Sequence, residues 1–233
     1  MRNDLLLLAD SRLPAGGHAH SGGLEPPATS GAVRTVADLA DFLHGRLHTA
    51  GLAAAALAAA ACRHAGNGPD PASWLVLDAE ADARDPSPGQ RAVARAQGKA
   101  LLRAARGTWP SPVLDALGDA HRARRTPDGR GPHHPVVLGV AAFAADGSPH
   151  DAAAIAAYTA VSGSASAAVR LLGLDPLGVH RALADLSAAV DAVAHEAAGH
   201  AEDAWADLPA PSAPVLDGWA ELHLLADLRL FES

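Results

Sequence analysis

The sequence predicts an all-α fold, a multi-helix bundle with short loops that spans residues 1–233 as a single domain. Three observations carry this prediction. Apolar residues make up 49% of the chain while aromatics make up only 3%, so Ala, Leu and Val must build the core. Helix-start signals recur along the chain. Strand-like alternation is confined to Val136-Val137-Leu138-Gly139-Val140, between Pro135 and an Ala-rich stretch, and this run is assigned to a helix. Ala has the best helix propensity, and its small side chain lets helix axes approach closely.

The elements follow in order. Leu5 to Leu8 form a short apolar run flanked by Asp4 and Asp10, too short and too acidic in its flanks for a signal peptide. Thr35 caps a helix whose apolar positions Val36, Leu39, Ala40, Leu43 and Leu47 recur at helical spacing and lead into an Ala block ending near Arg63. Asn67-Gly68-Pro69-Asp70-Pro71 breaks the chain before a helix over Ala72 to Ala83. Ser87-Pro88-Gly89-Gln90 is a capping-box pattern opening a helix to Arg106, and Ser111-Pro112 starts another. Thr126 to Pro135 is the longest polar break and reads as a flexible loop, with His133-His134 expected on the outside. From the capping box at Ser148-Pro149-His150-Asp151 to Ala198 the pattern is nearly continuous helix, interrupted at Gly173-Leu174-Asp175-Pro176. Asp207 to Pro214 links to a last helix over Val215 to Leu228, and the C-terminal helix and tail fill 215–233.

Charge and cysteine usage narrow the function. A net charge of −8 argues against a nucleic-acid surface. The run Leu52 to Cys62 is too short to span a bilayer, so no membrane role is expected. Cys62 is the single cysteine, excluding an internal disulfide and fitting a reducing cytoplasm; its Ala-rich setting predicts a small buried residue. Lys99 is the single lysine against 17 arginines, a bias that lowers the information in any one arginine.

Candidate chemistry is sparse. Of 13 histidines, His44 and His48 share a helical face at i, i+4, but no HExxH pattern or third ligand accompanies them, and they read as a solvated face. His18-Ala19-His20 sets two imidazoles in a glycine-rich segment, the weak candidates for a metal contact. Gly98-Lys99-Ala100 lacks the upstream glycine and the Ser/Thr of a phosphate-binding loop, so nucleotide hydrolysis by this chain is rejected. No GxSxG elbow occurs, and no catalytic residue is assigned.

The informative stretch is Leu13-Pro14-Ala15-Gly16-Gly17-His18-Ala19-His20-Ser21-Gly22-Gly23-Leu24-Glu25. Four glycines in eight residues permit positive φ and close backbone approach. Apolar Leu13 and Leu24 bound the segment. It is either an ordinary loop or a functional surface folded onto the body.

Here the sequence resembles the UreF family of urease accessory proteins. Members start with a short Leu-rich helix followed by Leu-Pro-x-Gly-Gly-x-x-x-Ser-x-Gly-Leu-Glu, which residues 13–25 match, with Gly31 and Val33 beyond. Gly98 to Leu102, Ser166 to Leu171, Asp175-Pro176-Leu177-Gly178 and Arg229-Leu230-Phe231-Glu232-Ser233 resemble further family motifs in the family's order. The chain departs from it in three places. His18 and His20 stand where many members carry Phe and Tyr, Ala226-Asp227-Leu228 replaces Gln-Tyr-Ser, and Val179-His180-Arg181 replaces a Gln-rich stretch.

The resemblance implies an all-helical protein, often a homodimer, with no resident cofactor. It would bind the accessory protein UreD (also called UreH) and the GTPase UreG, and assist nickel delivery to apo-urease. Arg229, Leu230 and Phe231 are then expected to dock onto UreD/UreH, Phe as the anchor and Arg as hydrogen-bond donor. Leu13, Pro14, Gly16, Gly17, His18, His20, Ser21, Gly23 and Glu25 are expected to face UreG or a second copy of the chain. The alternative is a nickel carrier using His18 and His20.

Overall fold

The computed structural model describes residues 3–68, 70–123, 131–224 and 230–231. Among the described residues twelve α-helices follow one another: α1 Asn3–Ala9, α2 Glu25–Thr29, α3 Val36–Arg46, α4 Leu52–Ala65, α5 Pro71–Ala83, α6 Pro88–Thr108, α7 Pro112–Ala123, α8 His134–Ala144, α9 Pro149–Leu172, α10 Pro176–Asp185, α11 Ser187–Gly199 and α12 Pro214–Leu224. There is no strand among the described residues, so the predicted all-α fold is the observed one. The Val136–Val140 run lies inside α8.

The centre is α4. Leu52, Ala53 and every residue from Ala55 to Cys62 are buried, and α8, α9 and α11 pack around them. Because α4 presents mostly methyl groups, its neighbours come within backbone distance. At Gly139 of α8 a Cβ would stand only 2.7 Å from the Ala61 Cβ and 2.9 Å from the Cys62 amide nitrogen. The sulfur of Cys62 lies 3.6 Å from the Gly147 carbonyl, and burial pushes its thiol up to about 12, so it is an inert core residue as its setting predicts.

Helix ends follow local chemistry. Thr35 and Asp38 form a reciprocal capping box (3.2 and 2.9 Å), as do Ser148 and Asp151 (3.2 and 3.0 Å). Asp175 caps α10 through the amides of Leu177 and Gly178. The predicted continuous helix through residue 47 is interrupted by a π turn at Leu47–Gly51, where the Thr49 hydroxyl bonds to the Gly45 carbonyl at 2.8 Å. The long pattern from Ser148 to Ala198 breaks a second time at Leu186, between α10 and α11. α9 is long and apolar enough by length and composition to cross a membrane, but more than half of that window is buried, and it is the long core helix of the bundle.

The expectation of an exposed 131–135 segment is corrected. Gly131, Pro132 and His133 are buried, and His134 and Pro135 open α8; residues 124–130 lie outside the described residues. The cause is a buried ionic network. Asp78 on α5 forms an ion pair with the Arg95 guanidinium at 2.8 Å and accepts the His133 backbone N–H at 2.8 Å, with His121 of α7 at 3.4 Å. Arg95 also reaches Asp82 (2.6 Å) and the Gly131 carbonyl (2.9 Å), and His133 Nε2 donates to Asp82 at 2.8 Å. Burial alone would raise the Asp78 carboxyl, but hydrogen bonding and charge from His121, the Arg95 charge and the His133 amide outweigh it and hold it at about 2. Each ion is paired, which is the condition for keeping charge in a protein interior.

The α4–α8 contact yields a direct test. Gly139→Val forces backbone separation in a close-packed core and should cost about 3 kcal/mol or more, given typical overpacking penalties of 1–3 kcal/mol without backbone contact. Thermal melts should show a Tm drop of roughly 6–12 °C for a chain of this size.

Candidate functional site

The glycine-rich segment divides into an outer and an inner half. Pro14 and Gly17 are exposed, and Leu13, Gly16 and Gly23 are half-buried. Residues 17–19 form a 3-10 turn; the side chain of His18 lies outside what the structure describes. His20, Ser21, Leu24 and Glu25 are buried. The inner half is pressed against α9. Gly22 adopts φ +64, a left-handed conformation that disfavours a side chain, and a Cβ there would collide with the Ser164 hydroxyl. Arg46 lies along the same backbone and donates from Nε to the Ala160 carbonyl at 2.9 Å.

Glu25 ends the segment and opens α2. Its backbone N–H donates to the Ser21 hydroxyl at 3.1 Å. Its carboxylate, on a residue only 5% exposed, accepts the backbone N–H of Leu230 at 2.7 Å and of Phe231 at 2.9 Å. His223 of α12 donates from Nε2 to the Phe231 carbonyl at 3.2 Å. Arg170 of α9 lies over the Phe231 ring, 4.4 Å from its centroid. Phe231 is turned into the chain's own body at 9% exposure, whereas Leu230 is 72% exposed. Arg229 lies outside the described residues. Three separated motifs, the glycine-rich segment, the end of α9 and the C-terminal tail, thus meet at one place.

α12 reaches this place along a clamped path. The Arg84 guanidinium donates to the carbonyls of Trp205 (2.7 Å), Ala206 (3.1 Å) and Leu208 (3.0 Å), fixing the entry to the Asp207–Pro214 linker. Ser87 accepts from the Gln90 amide at 3.1 Å, as its capping pattern predicts. The second half of the predicted box is replaced: the Ser87 hydroxyl bonds to Glu221 of α12, which also accepts the Gly89 amide at 3.2 Å. A carboxylate at the α6 N-terminus is favoured by the unpaired amides there. α12 thereby packs on α2 and α6, yet Val215 and Leu222 remain exposed and Leu216, Trp219 and Ala220 are only half-buried.

Between the glycine-rich segment, α6, α9 and α12 opens a cavity of about 1280 Å³ lined by His20, Arg46, Asp85, His133 and His134 among others. Burial, then repulsion from His20 and His133, pulls the His134 imidazole down to about 4, so it is neutral at pH 7. Among the described residues no three His, Cys, Asp or Glu side chains converge to hold a metal ion. His44 and His48 are exposed with ring centroids 4.6 Å apart. Gly98-Lys99-Ala100 lies within α6. Sequence reasoning missed Arg46, Arg84, Arg95 and Asp78, which no local spacing distinguishes.

The geometry defines a helical scaffold with an open C-terminal helix and tail. Comparison with known proteins identifies the family. The UreF family model matches residues 33–187. Relatives described as "Urease accessory protein UreF" include those of Mycolicibacterium vanbaalenii, 43% identical over 98% of this chain and 97% of the relative, and of Mycobacterium marinum, 41% identical over the same shares. That of Mycobacterium tuberculosis is 40% identical over 94% of this chain and 92% of the relative. The chain belongs to the UreF family; it is an accessory protein, as these relatives are, and not an enzyme.

Asp85 gives the site a measurable pH signature. Burial, with the neighbouring Asp217 and Asp82 charges, raises its carboxyl to about 6 against the opposing Ser87 amide and Arg91. An unfolded Asp titrates near 4, so between about pH 4 and 6 the native state binds more protons, and stability falls as pH rises through that window. Asp85→Asn removes this effect. Its Tm should exceed that of the parent by about 2–4 °C at pH 7 and match it near pH 4.

Proposed function

We propose that this chain is an assembly factor in urease maturation that docks onto UreD/UreH through α12 and the tail. It also recruits the GTPase UreG and assists nickel insertion into apo-urease, acting as a homodimer in the cytoplasm. Family membership supports the process. The observation that carries the docking surface is that α12 and the tail expose apolar side chains: among the described residues Val215, Leu222 and Leu230 are 65%, 62% and 72% exposed. Exposed apolar residues grouped at one end of a chain mark protein contact. GTP binding and hydrolysis belong to UreG in this reading, and nickel passes as cargo.

Two measurements test it. Deleting residues 229–233 should abolish capture of co-expressed UreD/UreH while leaving the helical circular dichroism intact; undiminished capture would overturn the docking assignment. The outer half of the glycine-rich segment is assigned to UreG or the dimer partner. A Cβ on Gly17 meets nothing within 4 Å, so Gly17→Gln should leave Tm within about 1 °C, as for surface changes generally. It should nonetheless lower urease activity and nickel content in cells co-expressing the urease structural and accessory proteins; full activation would remove that surface from the assembly.

A further inference from the structure

We propose that Glu25 is a positioning residue for partner docking: its buried carboxylate holds the backbone of Leu230 and Phe231 so that Leu230 is presented outward to the partner while Phe231 is kept inward. The proposal rests on the reading that the tail meets a protein partner. It changes the role expected of Glu25, which acts inside the chain and not at the partner's surface.

The geometry is specific. Consecutive backbone N–H groups in an extended chain point to opposite sides. Here two consecutive ones, from Leu230 and Phe231, converge on the two oxygens of one carboxylate at 2.7 and 2.9 Å, which demands a bend at that point. The bend sends the two side chains to different environments, as their exposures of 72% and 9% record. Recognition is of main-chain atoms, so it fixes where the tail lies without depending on which side chains it carries.

The grip is held from both sides. Ser21, fully buried, accepts the Glu25 amide at 3.1 Å and fixes the carboxylate's own backbone. His223 stands 3.9 Å from the Glu25 carboxylate and donates to the Phe231 carbonyl at 3.2 Å. Arg170 closes over the Phe231 ring. Removing the two amides would leave a buried carboxylate short of donors, so the carboxylate and the bent tail stabilise one another.

The test uses the full-length protein and the variants Glu25→Ala, Glu25→Gln and Leu230→Ala. Hydrogen–deuterium exchange of the C-terminal peptide is read alongside peptides of α4, and affinity for purified UreD/UreH is measured for each. Glu25→Ala should raise exchange at residues 230–231 by about tenfold or more with α4 unchanged, and Glu25→Gln, which keeps one acceptor oxygen, should fall between. Leu230→Ala should leave exchange unchanged. Both Glu25→Ala and Leu230→Ala should weaken partner binding by about tenfold, and the double variant by clearly less than the product, because Leu230 is no longer presented once the bend is lost. Unchanged exchange in Glu25→Ala, or losses that multiply in the double variant, would overturn the proposal. Raised exchange in Glu25→Ala with full partner affinity in Leu230→Ala would leave the internal grip standing and remove the docking reading, so the two failures are distinct. Should Glu25→Ala not fold, the same comparisons are made with Glu25→Gln.

Discussion

The bundle depends on the closeness that α4 permits. A helix whose buried surface is mostly Ala methyl groups gains little from each side chain, so its stabilisation comes from bringing neighbouring backbones into contact. Gly139 makes that possible on α8, where any side chain would meet α4 itself. This closeness has a consequence at the helix ends. With α8 drawn down onto α4, the segment entering it, Gly131 to His133, is pulled into the interior beside α5 and α6. Its backbone donors and acceptors must then be matched by protein groups: Asp78 takes the His133 N–H and Arg95 the Gly131 carbonyl, while Asp82 holds the His133 ring. The ionic network is therefore the complement of the alanine core: one removes volume, and the other satisfies the chain that is drawn in.

The C-terminal part obeys a different logic. Among the described side chains of α12 no apolar one is buried. Polar groups that recognise backbone hold it and its flanks in place: Glu221 on the α6 amides, Arg84 on the linker carbonyls, Glu25 on the tail amides. Such bonds, charge-assisted and made to main-chain atoms, define a position without covering the helix's apolar residues. That division suits an element whose apolar side chains serve another protein. A helix buried in its own core would be stable and would have nothing to offer, whereas an untethered one would lose much of its binding free energy to ordering.

Much of the fold was legible because its signals are local. Thr35 and Ser148 announce helix starts by chemistry that acts within three or four residues, and the structure forms both caps as expected. Ser87 shows where local reasoning stops, since half of its capping pattern is native and half is taken over by Glu221 from α12. The Asp78–Arg95–His121–His133 network has no local period at all, and in a chain that uses arginine almost everywhere a cation is needed, Arg95 and Arg84 carry no mark in sequence. His133 misled for a related reason: a Pro- and Gly-rich flank signals a turn, not on which side of the core the turn lies. In the glycine-rich segment the compact turn bounded by Leu13 and Leu24 was legible, and the inward direction of Glu25 was not, because an acidic residue at a helix start is ordinarily a solvated one.

The family's motifs look independent along the sequence and are one object in space. Glu25 closes the first, Arg170 belongs to the helix motif of α9, and Phe231 to the terminal one, and the three touch. The placement of a Phe is itself informative in a chain with only three. A ring seated under Arg170 cannot slide by one residue without exposing itself and withdrawing Leu230. Glu25 then fixes the main chain at the same two residues, so register and bend are set by separate interactions, one apolar and cationic, one a carboxylate on amides. Either alone would leave the tail free to shift or to straighten. Together they leave a single arrangement in which Leu230 faces outward and Phe231 inward.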